Sequence, residues 1–337
     1  MKKINLAING FGRIGRAAAK IINDRFPAIN IVAVNDLTDP ATLAHLLQYD
    51  SCYGRYAHKV SATRDSIILA GRKIPVLAIK DPALLPWKAL KVDVVLECTG
   101  RFTNKEDLNL HLKAGAKKVV LSAPAKKGGV KTIVLGVNEN KILASDHLLS
   151  CASCTTNCLA PATMVIKDKF GIKKALMSTV HAYTADQNLV DGPHKDLRRA
   201  RGAAVNIIPT TTGAASAVTE TIPALKGKFD GMAIRVPVTV GSLCDVTYLL
   251  SKKTTIEAVN AEFARAAKGK LKGILEASNE DLVSSDIIAN PHSSIVDLKS
   301  TALVGGDLLK VIAWYDNEWG YSNRLVELAV YLNKFIK

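Results

Sequence analysis

The sequence predicts an α/β chain in two parts, a first half built on a parallel sheet and a second half built on a mostly antiparallel one. Over the first 150 residues, short β-branched runs alternate with helical periods, and after that point the apolar runs become longer and amphipathic. The chain has 337 residues, 48% of them hydrophobic, which is enough for two domains with their own cores.

The first half alternates strands and helices from its first residues. "INLAI" places Ile4, Leu6 and Ile8 on one face, and apolar residues then recur at helical spacing from Ile14 to Ile22. Further predicted strands are "INIVAVND", ending in Asp36, and then "VDVVLECTG", "KKVVLSAP" and "TIVLGVN". This alternation predicts helices on both faces of a parallel sheet, with a ligand at the carboxyl ends of the strands.

A glycine-rich turn follows the first predicted strand. "GFGRIG" matches G-x-G-x-x-G through Gly10, Gly12 and Gly15, between a strand and a helix, and Asp36 closes the next strand. Glycines here let the backbone approach a pyrophosphate, and the helix N-terminus supplies N–H groups. Asp36 would accept hydrogen bonds from a ribose and repel a 2′-phosphate. The alternative is a tight turn whose aspartate only caps it, but the context favours a dinucleotide.

The second half contains longer strands with helices between them. "ALMSTVHAYT", "GMAIRVPV", "SLCDVTYLLS" and "LLKVIAWYD" are typical of a sheet with one covered face. Thr254 precedes Glu257 by three residues, a capping-box pattern that predicts a helix start. The last segment, "SNRLVELAVYLNKFIK", carries an apolar helical stripe, so we expect it to pack on the first domain.

Three cysteines lie close together in "SCASCTTNCLA". Cys151, Cys154 and Cys158 lack a fourth ligand and a second CxxC, so we expect no metal. A strand followed by a helix that begins near Ser153 would place Cys154 in the first helical turn, where the helix dipole favours a thiolate. A nucleophilic cysteine needs a base, and the strand residue His181 is a candidate, although such a histidine is as often purely structural.

The net charge of +15 permits nucleic acid, an anionic membrane or phosphorylated small molecules as partners. Most of the excess is scattered lysine, and the one cluster, "HKDLRRARG", has no interleaved aromatic residues. No apolar run is long enough to cross a bilayer, and the apolar stretch after the N-terminal lysines is too short for an export signal. We therefore expect a cytoplasmic protein with reduced cysteines, no membrane partner and nucleic acid at most as a secondary ligand.

These motifs occur together in one known family. "INGFGRIGR", "VNDLTD", "CTGRFT", "ASCTTNCLAP", "TVHAYT", "HKDLRRAR", "IIPTTTGAA", "MAIRVP" and "WYDNEWGYS" stand in the order found in phosphorylating glyceraldehyde-3-phosphate dehydrogenases. The resemblance covers essentially the whole chain. It implies a Rossmann NAD-binding domain over residues 1–152, a catalytic domain over 153–316, a C-terminal helix over 317–337 that packs back on the first domain, and a homotetramer.

The resemblance also implies a mechanism and its residues. Cys154 resembles the nucleophile that forms a hemithioacetal and then a thioester with glyceraldehyde 3-phosphate, and His181 resembles its base. Inorganic phosphate then releases 1,3-bisphosphoglycerate. The family's anion sites map onto Thr184 and Arg235 for the substrate phosphate, onto Ser153, Thr155, Thr212 and Gly213 for the attacking phosphate, and onto Arg199 beside both.

The cofactor implied is NAD. Besides the three glycines, the residues carried over are Arg13, Ile14, Asp36, Lys80, Ser122 and Asn317. Lys80 stands where the family often has arginine. Gly192 replaces a leucine common in NAD-preferring members, which leaves some acceptance of NADP open, whereas Asp36 and Pro193 favour NAD.

Other functions fit the sequence less well. Erythrose-4-phosphate dehydrogenases share the nucleophile motif but hydrolyse the thioester, and the full "TTTGAA" and "HKDLRRAR" set favours a phosphate user. Semialdehyde and acyl-phosphate reductases lack this ordered set of motifs. A nucleic-acid-binding role resting on the basic surface is a secondary alternative.

Replacing Asp36 by Ala should weaken the binding of NAD more than that of NADP, because the carboxylate is expected to bind a ribose hydroxyl and to repel a 2′-phosphate. Michaelis constants for both cofactors check this. Equal effects on the two would remove the proposed contact with the ribose.

Overall fold

A computed structural model describes residues 3–126 and 128–336. Met1 and Lys2 of the N-terminal lysine run, Lys127, and Lys337 at the end of the predicted C-terminal helix lie outside the described residues. The chain divides into two compact units. Unit 1 comprises Met1–Ile133, Asn140–Ala152 and Ser322–Lys337, and unit 2 comprises Val134–Glu139 and Ser153–Tyr321.

Unit 1 is built on a largely parallel sheet. Its elements are β1 (Ile4–Asn9), α1 (Arg13–Arg25), β2 (Ile29–Asn35), α2 (Pro40–Gln48), β3 (Tyr49–Asp50), β4 (Gly54–Arg55), β5 (Val60–Ala62), β6 (Ser66–Leu69), β7 (Arg72–Leu77), β8 (Val94–Glu97), α3 (Lys105–Lys113), β9 (Lys118–Leu121), β10 (Lys131–Thr132) and β11 (Leu148–Ser150). The strand order is β10-β11-β9-β8-β1-β2-β7-β6-β5, parallel from β10 to β7, with β6 and β5 added antiparallel; β3 and β4 pair separately.

The sequence accounts for the start of each helix in this unit. Gly12 lies at the N-cap of α1, whereas the side chains of Asp39 and Asn104 accept backbone hydrogen bonds at the starts of α2 and α3. The central strands are apolar on both faces, and Leu6, Ile8 and Leu96 are fully buried. This is the pattern of a parallel sheet covered on both sides.

The predicted strand "TIVLGVN" is mostly wrong. Only Lys131–Thr132 pairs as a strand, and the chain then turns. Gly136 has φ +81°, and the Asn138 side chain accepts a hydrogen bond of 2.8 Å from the Val134 backbone N–H. The run is apolar because Ile133 and Val134 are buried. Apolar side chains can be buried in an ordered turn as well as in a strand, so the apolar pattern does not distinguish the two.

Unit 2 contains a seven-stranded sheet and the helices that cover it. Its elements are α4 (Cys154–Phe170), β12 (Ile172–Ala182), β13 (Ile208–Thr210), α5 (Ala214–Thr221), β14 (Phe229–Val236), β15 (Ser242–Leu250), α6 (Ile256–Lys268), β16 (Leu275–Ser278), β17 (Ser294–Val304) and β18 (Leu308–Tyr315). The order is β13-β14-β12-β15-β18-β17-β16. Four of the neighbouring pairs are antiparallel, and the pairs β12/β14 and β16/β17 are parallel, which confirms the mostly antiparallel expectation.

Two helix boundaries differ in detail from the sequence prediction. The N-cap of α6 is Thr255, whose hydroxyl accepts from the Ala258 N–H, and not Thr254. The C-terminal helix, α7, spans Trp319–Leu332, and a short 3₁₀ turn follows at Asn333–Phe335. Further 3₁₀ turns lie at Pro82–Leu84, Glu139–Lys141, Ala203–Val205 and Pro223–Leu225. Among the helices of residues 3–126 and 128–336, none combines the length and apolar character needed to span a bilayer.

Replacing Gly231 by Ala should destabilise unit 2. Gly231 faces Met177 across the parallel β12/β14 pair, and a Cβ added there would lie 2.3 Å from the Met177 carbonyl oxygen. Because that oxygen belongs to the backbone, the strands must separate, and we expect a loss of about 1–3 kcal/mol in the free energy of unfolding. Urea denaturation measures it.

The control for this substitution is Gly128→Ala, where an added Cβ meets nothing within 4 Å. It should change the unfolding free energy by less than about 0.5 kcal/mol. Equal effects of the two substitutions would show that the strand contact is not the cause.

Candidate active site

Cys154 is the first residue of α4, immediately after a strained turn. Ala152, just before the helix, has φ +58°, a conformation that costs a non-glycine residue free energy and that is enriched at functional sites. Ser153 is the N-cap, and its Oγ accepts a hydrogen bond of 3.0 Å from the Thr156 N–H. The predicted start near Ser153 is therefore what the structure shows, and Cys154 lies in the first helical turn.

The thiol of Cys154 contacts the imidazole of His181. Cys154 Sγ lies 3.4 Å from His181 Nε2, and His181 Nδ1 lies 2.6 Å from the Ala182 carbonyl oxygen. Because a carbonyl oxygen can only accept, Nδ1 carries the ring proton and Nε2 is the acceptor. The geometry thus orients the thiol proton toward a neutral imidazole nitrogen, which is the arrangement of a nucleophile and its base.

Burial dominates the protonation of this pair. Burial raises the pKa of Cys154 to about 11, although the nearby Arg235 guanidinium and hydrogen bonds from Thr155 act in the lowering direction. Burial, together with Arg235, lowers the pKa of His181 to about 3. Desolvation therefore opposes the thiolate that the helix N-terminus and the arginine favour. Both pKa shifts are in the direction of a thiol and a neutral imidazole.

A buried hydroxyl network supports the pair from within the sheet. Tyr315 OH lies 2.9 Å from Thr155 Oγ1 and 2.8 Å from Thr179 Oγ1, and its ring packs edge-on against His181. Thr155 is buried, and its hydroxyl is already bound to Tyr315. The sequence did not single out Tyr315, although it stands in the quoted motif "WYDNEWGYS" and the period of two along β18 directs it inward.

Arg235 lies beside the histidine on the neighbouring strand β14. Its Nη1 donates to the Ala182 carbonyl oxygen at 3.1 Å and to Thr184 Oγ1 at 3.2 Å. Nη1 is also 3.2 Å from His181 Nδ1, but the proton on that nitrogen already points to Ala182. The Arg235 Nε is buried without a hydrogen-bond partner. A guanidinium held in this way next to a thiol is suited to an anionic group of a substrate.

Arg199 is the second cation of this part of unit 2. Its Nε donates to Thr210 Oγ1 and its Nη2 to the Thr211 carbonyl oxygen, both at 2.9 Å, while Nη1 pairs with Asp186. The Thr210 hydroxyl donates in turn to Asp196. Arg199 was predicted from its motif, but its acidic partner Asp186 in "YTADQ" was not, because the two residues lie thirteen positions apart on an irregular loop.

Thr212 and Gly213 precede the short helix α5. Gly213 is the N-cap, and Thr212 Oγ1 accepts a hydrogen bond of 3.2 Å from the Ala214 N–H. The start of α5 therefore presents backbone N–H groups and the Thr212 hydroxyl. It follows directly after Thr210 and Thr211, which are hydrogen-bond partners of Arg199. Such a combination favours anions.

The other two cysteines of the motif are buried. Cys158 is 0% exposed, with Sγ 3.6 Å from the Ala313 carbonyl oxygen and 3.8 Å from Ser294 Oγ, and burial raises its pKa well above the usual value. Cys151 lies one residue after β11 and is also buried. All six cysteines are free thiols. Across the described residues, no group of three or more histidine, cysteine or acidic side chains is arranged to hold a metal ion.

Unit 1 carries a cavity of about 410 Å³ at the carboxyl ends of β1, β2 and β8. Gly10, with φ +90°, forms its floor so closely against Thr99 that a Cβ would lie 2.6 Å from the Thr99 nitrogen. Asp36 Oδ2 accepts from the Phe11 N–H at 2.8 Å, and its Oδ1 accepts from the Thr38 N–H at 3.0 Å. The glycine loop, the N-terminus of α1 and this carboxylate fit a dinucleotide.

Four of the predicted cofactor residues line this cavity, namely Gly10, Gly12, Asp36 and Lys80. Gly15 instead packs against the Gly10 carbonyl oxygen, and the Arg13 side chain pairs with Asp50 at 2.8 Å. Ile14 is the second residue of α1, and Ser122 is half-buried just after β9. Asn317, in unit 2, accepts from the Gly241 N–H and the Ser242 hydroxyl through Oδ1, which leaves its amide nitrogen free to donate.

The cavity also contains residues that the sequence analysis did not assign. Thr99, Arg101 and Phe102 line it and belong to the quoted motif "CTGRFT". Their position directly after a parallel strand was the available signal, since ligands bind at the carboxyl ends of such strands.

Comparisons with known proteins agree on one family. Residues 4–105 match the model of the glyceraldehyde 3-phosphate dehydrogenase NAD-binding domain, and residues 153–317 match that of the C-terminal domain. The chain is 53% identical to glyceraldehyde-3-phosphate dehydrogenase of Mycobacterium bovis and 54% identical to that of Mycolicibacterium smegmatis, covering 98% of this chain and 99% of each relative. It is 52% identical to glyceraldehyde-3-phosphate dehydrogenase 2 of Streptomyces avermitilis, over 98% of both chains.

Replacing Cys154 by Ser should lower turnover at least about 10³-fold, because a hydroxyl does not supply the thiolate nucleophile that His181 can generate from the thiol. Binding of the dinucleotide should persist. Steady-state rates and calorimetric titration of the cofactor measure the two effects.

The matched control is Cys158→Ser, one helical turn later. Because that thiol is fully buried and does not contact His181 among the hydrogen-bond partners of the described residues, which include Ser294, Ala313 and Trp314, most of the activity should remain. A loss as large as that of Cys154→Ser would show that the second thiol takes part in the chemistry.

Proposed function

The chain belongs to the glyceraldehyde-3-phosphate dehydrogenase family, and from this premise we propose how its residues carry out the reaction. The reaction is the NAD-dependent oxidation and phosphorylation of D-glyceraldehyde 3-phosphate to 1,3-bisphosphoglycerate, a step of glycolysis and gluconeogenesis. The observation that supports it most directly is the 3.4 Å contact of Cys154 Sγ with the acceptor nitrogen of His181, beside the Arg235 guanidinium.

The first step is addition of the Cys154 sulfur to the aldehyde carbon. The thiol proton passes to His181 Nε2 and from there to the carbonyl oxygen, which becomes the hydroxyl of a hemithioacetal. His181 is then neutral again and accepts the hydroxyl proton as hydride leaves the carbon, which yields a thioester. NAD, when bound, supplies the hydride acceptor.

The second step is transfer of the acyl group to phosphate. An oxygen of inorganic phosphate attacks the thioester carbon, the carbon–sulfur bond breaks, and the Cys154 sulfur recovers its proton from His181. The burial of His181 and the half-buried position of Cys154 support this course, because water must be kept from the thioester if phosphate is to intercept it.

Two anion sites complete the proposal. We assign the substrate's own phosphate to Arg235 and Thr184, whose side chains are already hydrogen-bonded together. The attacking phosphate is assigned to Ser153, Thr155, Thr212 and Gly213, and Arg199 serves both sites. The Arg199 fork is occupied by Asp186 and Thr211, so a phosphate near it would have to exchange with or add to these partners.

Cofactor choice and the domain plan are part of the same proposal. Asp36, whose two carboxylate oxygens accept hydrogen bonds from backbone N–H groups, supports NAD over NADP. Gly192 lies in a loop in which the Asn188 side chain donates to the Gly192 carbonyl oxygen at 2.6 Å. We propose domains of 1–152 and 153–316, with 317–337 joining the first. The family match that begins at residue 153 supports the first boundary, and the inclusion of Ser322–Lys337 in unit 1 supports the return of the C-terminal segment, whereas residues 317–321 group with unit 2.

We further propose that the protein is a cytoplasmic homotetramer. The outer face of the unit 2 sheet supports self-association. It carries a groove of about 680 Å³ lined in part by Leu176, Leu249 and Leu308, and Leu176 is 67% exposed. An apolar groove of this kind on a sheet face is typical of a subunit interface.

Formation of NADH with glyceraldehyde 3-phosphate and NAD should depend on inorganic phosphate, because only phosphorolysis regenerates the thiol from the thioester at a useful rate. Absorbance of NADH, followed with and without phosphate, measures this. Without phosphate we expect a burst of one NADH per active site and then almost no turnover. Steady turnover without phosphate would indicate hydrolysis and would replace the phosphorylating assignment by one of the erythrose-4-phosphate dehydrogenase type.

A further inference from the structure

Glu97, at the end of β8, is a fully buried acidic residue that the proposed reaction does not use. Among the described residues, its one ion-pair neighbour is His111, and no lysine or arginine accompanies it. A carboxylate removed from water is costly unless hydrogen-bond donors replace its hydration. The identity of those donors therefore shows what Glu97 holds in place.

Four donors surround this carboxylate. Oε1 accepts from the backbone N–H of Thr99 at 2.8 Å and also from the Thr99 hydroxyl. Oε2 accepts from Asn9 Nδ2 at 2.5 Å and is 3.0 Å from His111 Nε2. Both oxygens are thus fully engaged, and Thr99 is fixed through two of its own groups.

His111 can act here only as a donor. On its other side, His111 Nδ1 lies 3.0 Å from Trp87 Nε1, and an indole N–H donates and never accepts. Nδ1 is therefore the acceptor, and the proton of the neutral ring is on Nε2, directed at Glu97. Trp87 and His111 are both 0% exposed, so no water competes with this assignment. Trp87 selects the tautomer that Glu97 requires.

The other end of the network is the floor of the dinucleotide cavity. Asn9 and Thr99 line that cavity, and Asn9 Oδ1 accepts at 2.7 Å from Asn35 Nδ2, which belongs to a third lining residue. Gly10 packs directly beneath Thr99, with no room for a Cβ. A shift of Thr99 by a few tenths of an ångström would therefore move the surface on which the cofactor lies.

We propose that Trp87 and His111, which do not line the cavity, are positioning residues for the dinucleotide: through Glu97 they fix Thr99 and Asn9 against the glycine loop. The inference rests on the assignment of this cavity to NAD. The affinity for the dinucleotide then depends on the hydrogen bond between Trp87 and His111, two side chains that do not line its cavity.

Two substitutions of His111 separate this role from a general contribution to stability. The amide nitrogen of a glutamine at this position can take the place of His111 Nε2 and donate to Glu97. The asparagine side chain is one methylene shorter, so its amide nitrogen does not reach Glu97. We expect His111→Asn to raise the dissociation constant and KM of NAD about tenfold, the equivalent of about 1.4 kcal/mol. His111→Gln should stay within about threefold of the unaltered protein, and kcat at saturating NAD should change less than about twofold in both.

The control for stability is Leu108→Ala on the same helix, α3. Leu108 is 0% exposed in the core cluster that contains Trp87, but it forms no part of the hydrogen-bonded network. Leu108→Ala should lower the melting temperature at least as much as His111→Asn does. Its NAD dissociation constant should stay within about twofold of that of the unaltered protein. Trp87→Phe keeps a large aromatic ring but removes the indole N–H, and should weaken NAD about threefold by freeing the tautomer of His111.

Calorimetric titration with NAD, thermal unfolding and phosphate-dependent turnover are measured on all five proteins. The proposal is overturned if His111→Asn and Leu108→Ala raise the NAD dissociation constant equally. It is also overturned if His111→Gln raises that constant as much as His111→Asn does. If His111→Asn does not fold, an unchanged NAD affinity in Trp87→Phe overturns it instead. Failure of the unaltered protein to bind NAD or to require phosphate would refute the proposed function itself, which is a separate outcome.

Discussion

The proposed chemistry depends on one contact, the 3.4 Å approach of the Cys154 thiol to a histidine nitrogen that acts as the acceptor. The acceptor character of that nitrogen is set on the opposite side of the ring, where Nδ1 donates to the Ala182 carbonyl oxygen. The contact forms between a helix start and a strand, so it is fixed by the packing of α4 on the sheet. His181 is buried and Cys154 is half-buried, and desolvation shifts the pKa of each group in the direction of its neutral form.

The charges of unit 2 are arranged around this neutral pair. Arg235 lowers the pKa of the buried histidine and acts in the same direction on the thiol, so it opposes protonation of the base and favours ionisation of the nucleophile. Arg199 is placed differently, since its donors are taken up by Asp186, Thr210 and Thr211. Arg235 acts on both the cysteine and the histidine, whereas Arg199, which also lowers the pKa of His181, pairs with Asp186.

Hydrogen-bond chains with a fixed direction recur in both units. In unit 2, a carbonyl oxygen determines which nitrogen of His181 faces the thiol, and in unit 1, an indole determines which nitrogen of His111 faces a carboxylate. In neither case is the group that selects the tautomer among the residues assigned to a ligand. A residue-type pattern does not identify such a group, because any buried donor or acceptor at the right distance would serve.

The sequence by itself predicted the strands β1, β2, β8 and β9 of the parallel sheet, the glycine turn and the position of Cys154 at a helix start, because these depend on local periodicity and on residues adjacent in the chain. It failed at "TIVLGVN", where burial alone produces the same apolar pattern as a strand. Only the tertiary structure decided which distant side chains meet: Tyr315 with Thr155, Asp186 with Arg199, and Trp87 with His111. It also decided the direction in which the pKa of the thiol shifts, because the desolvation that opposes the helix dipole results from packing between elements far apart in the chain.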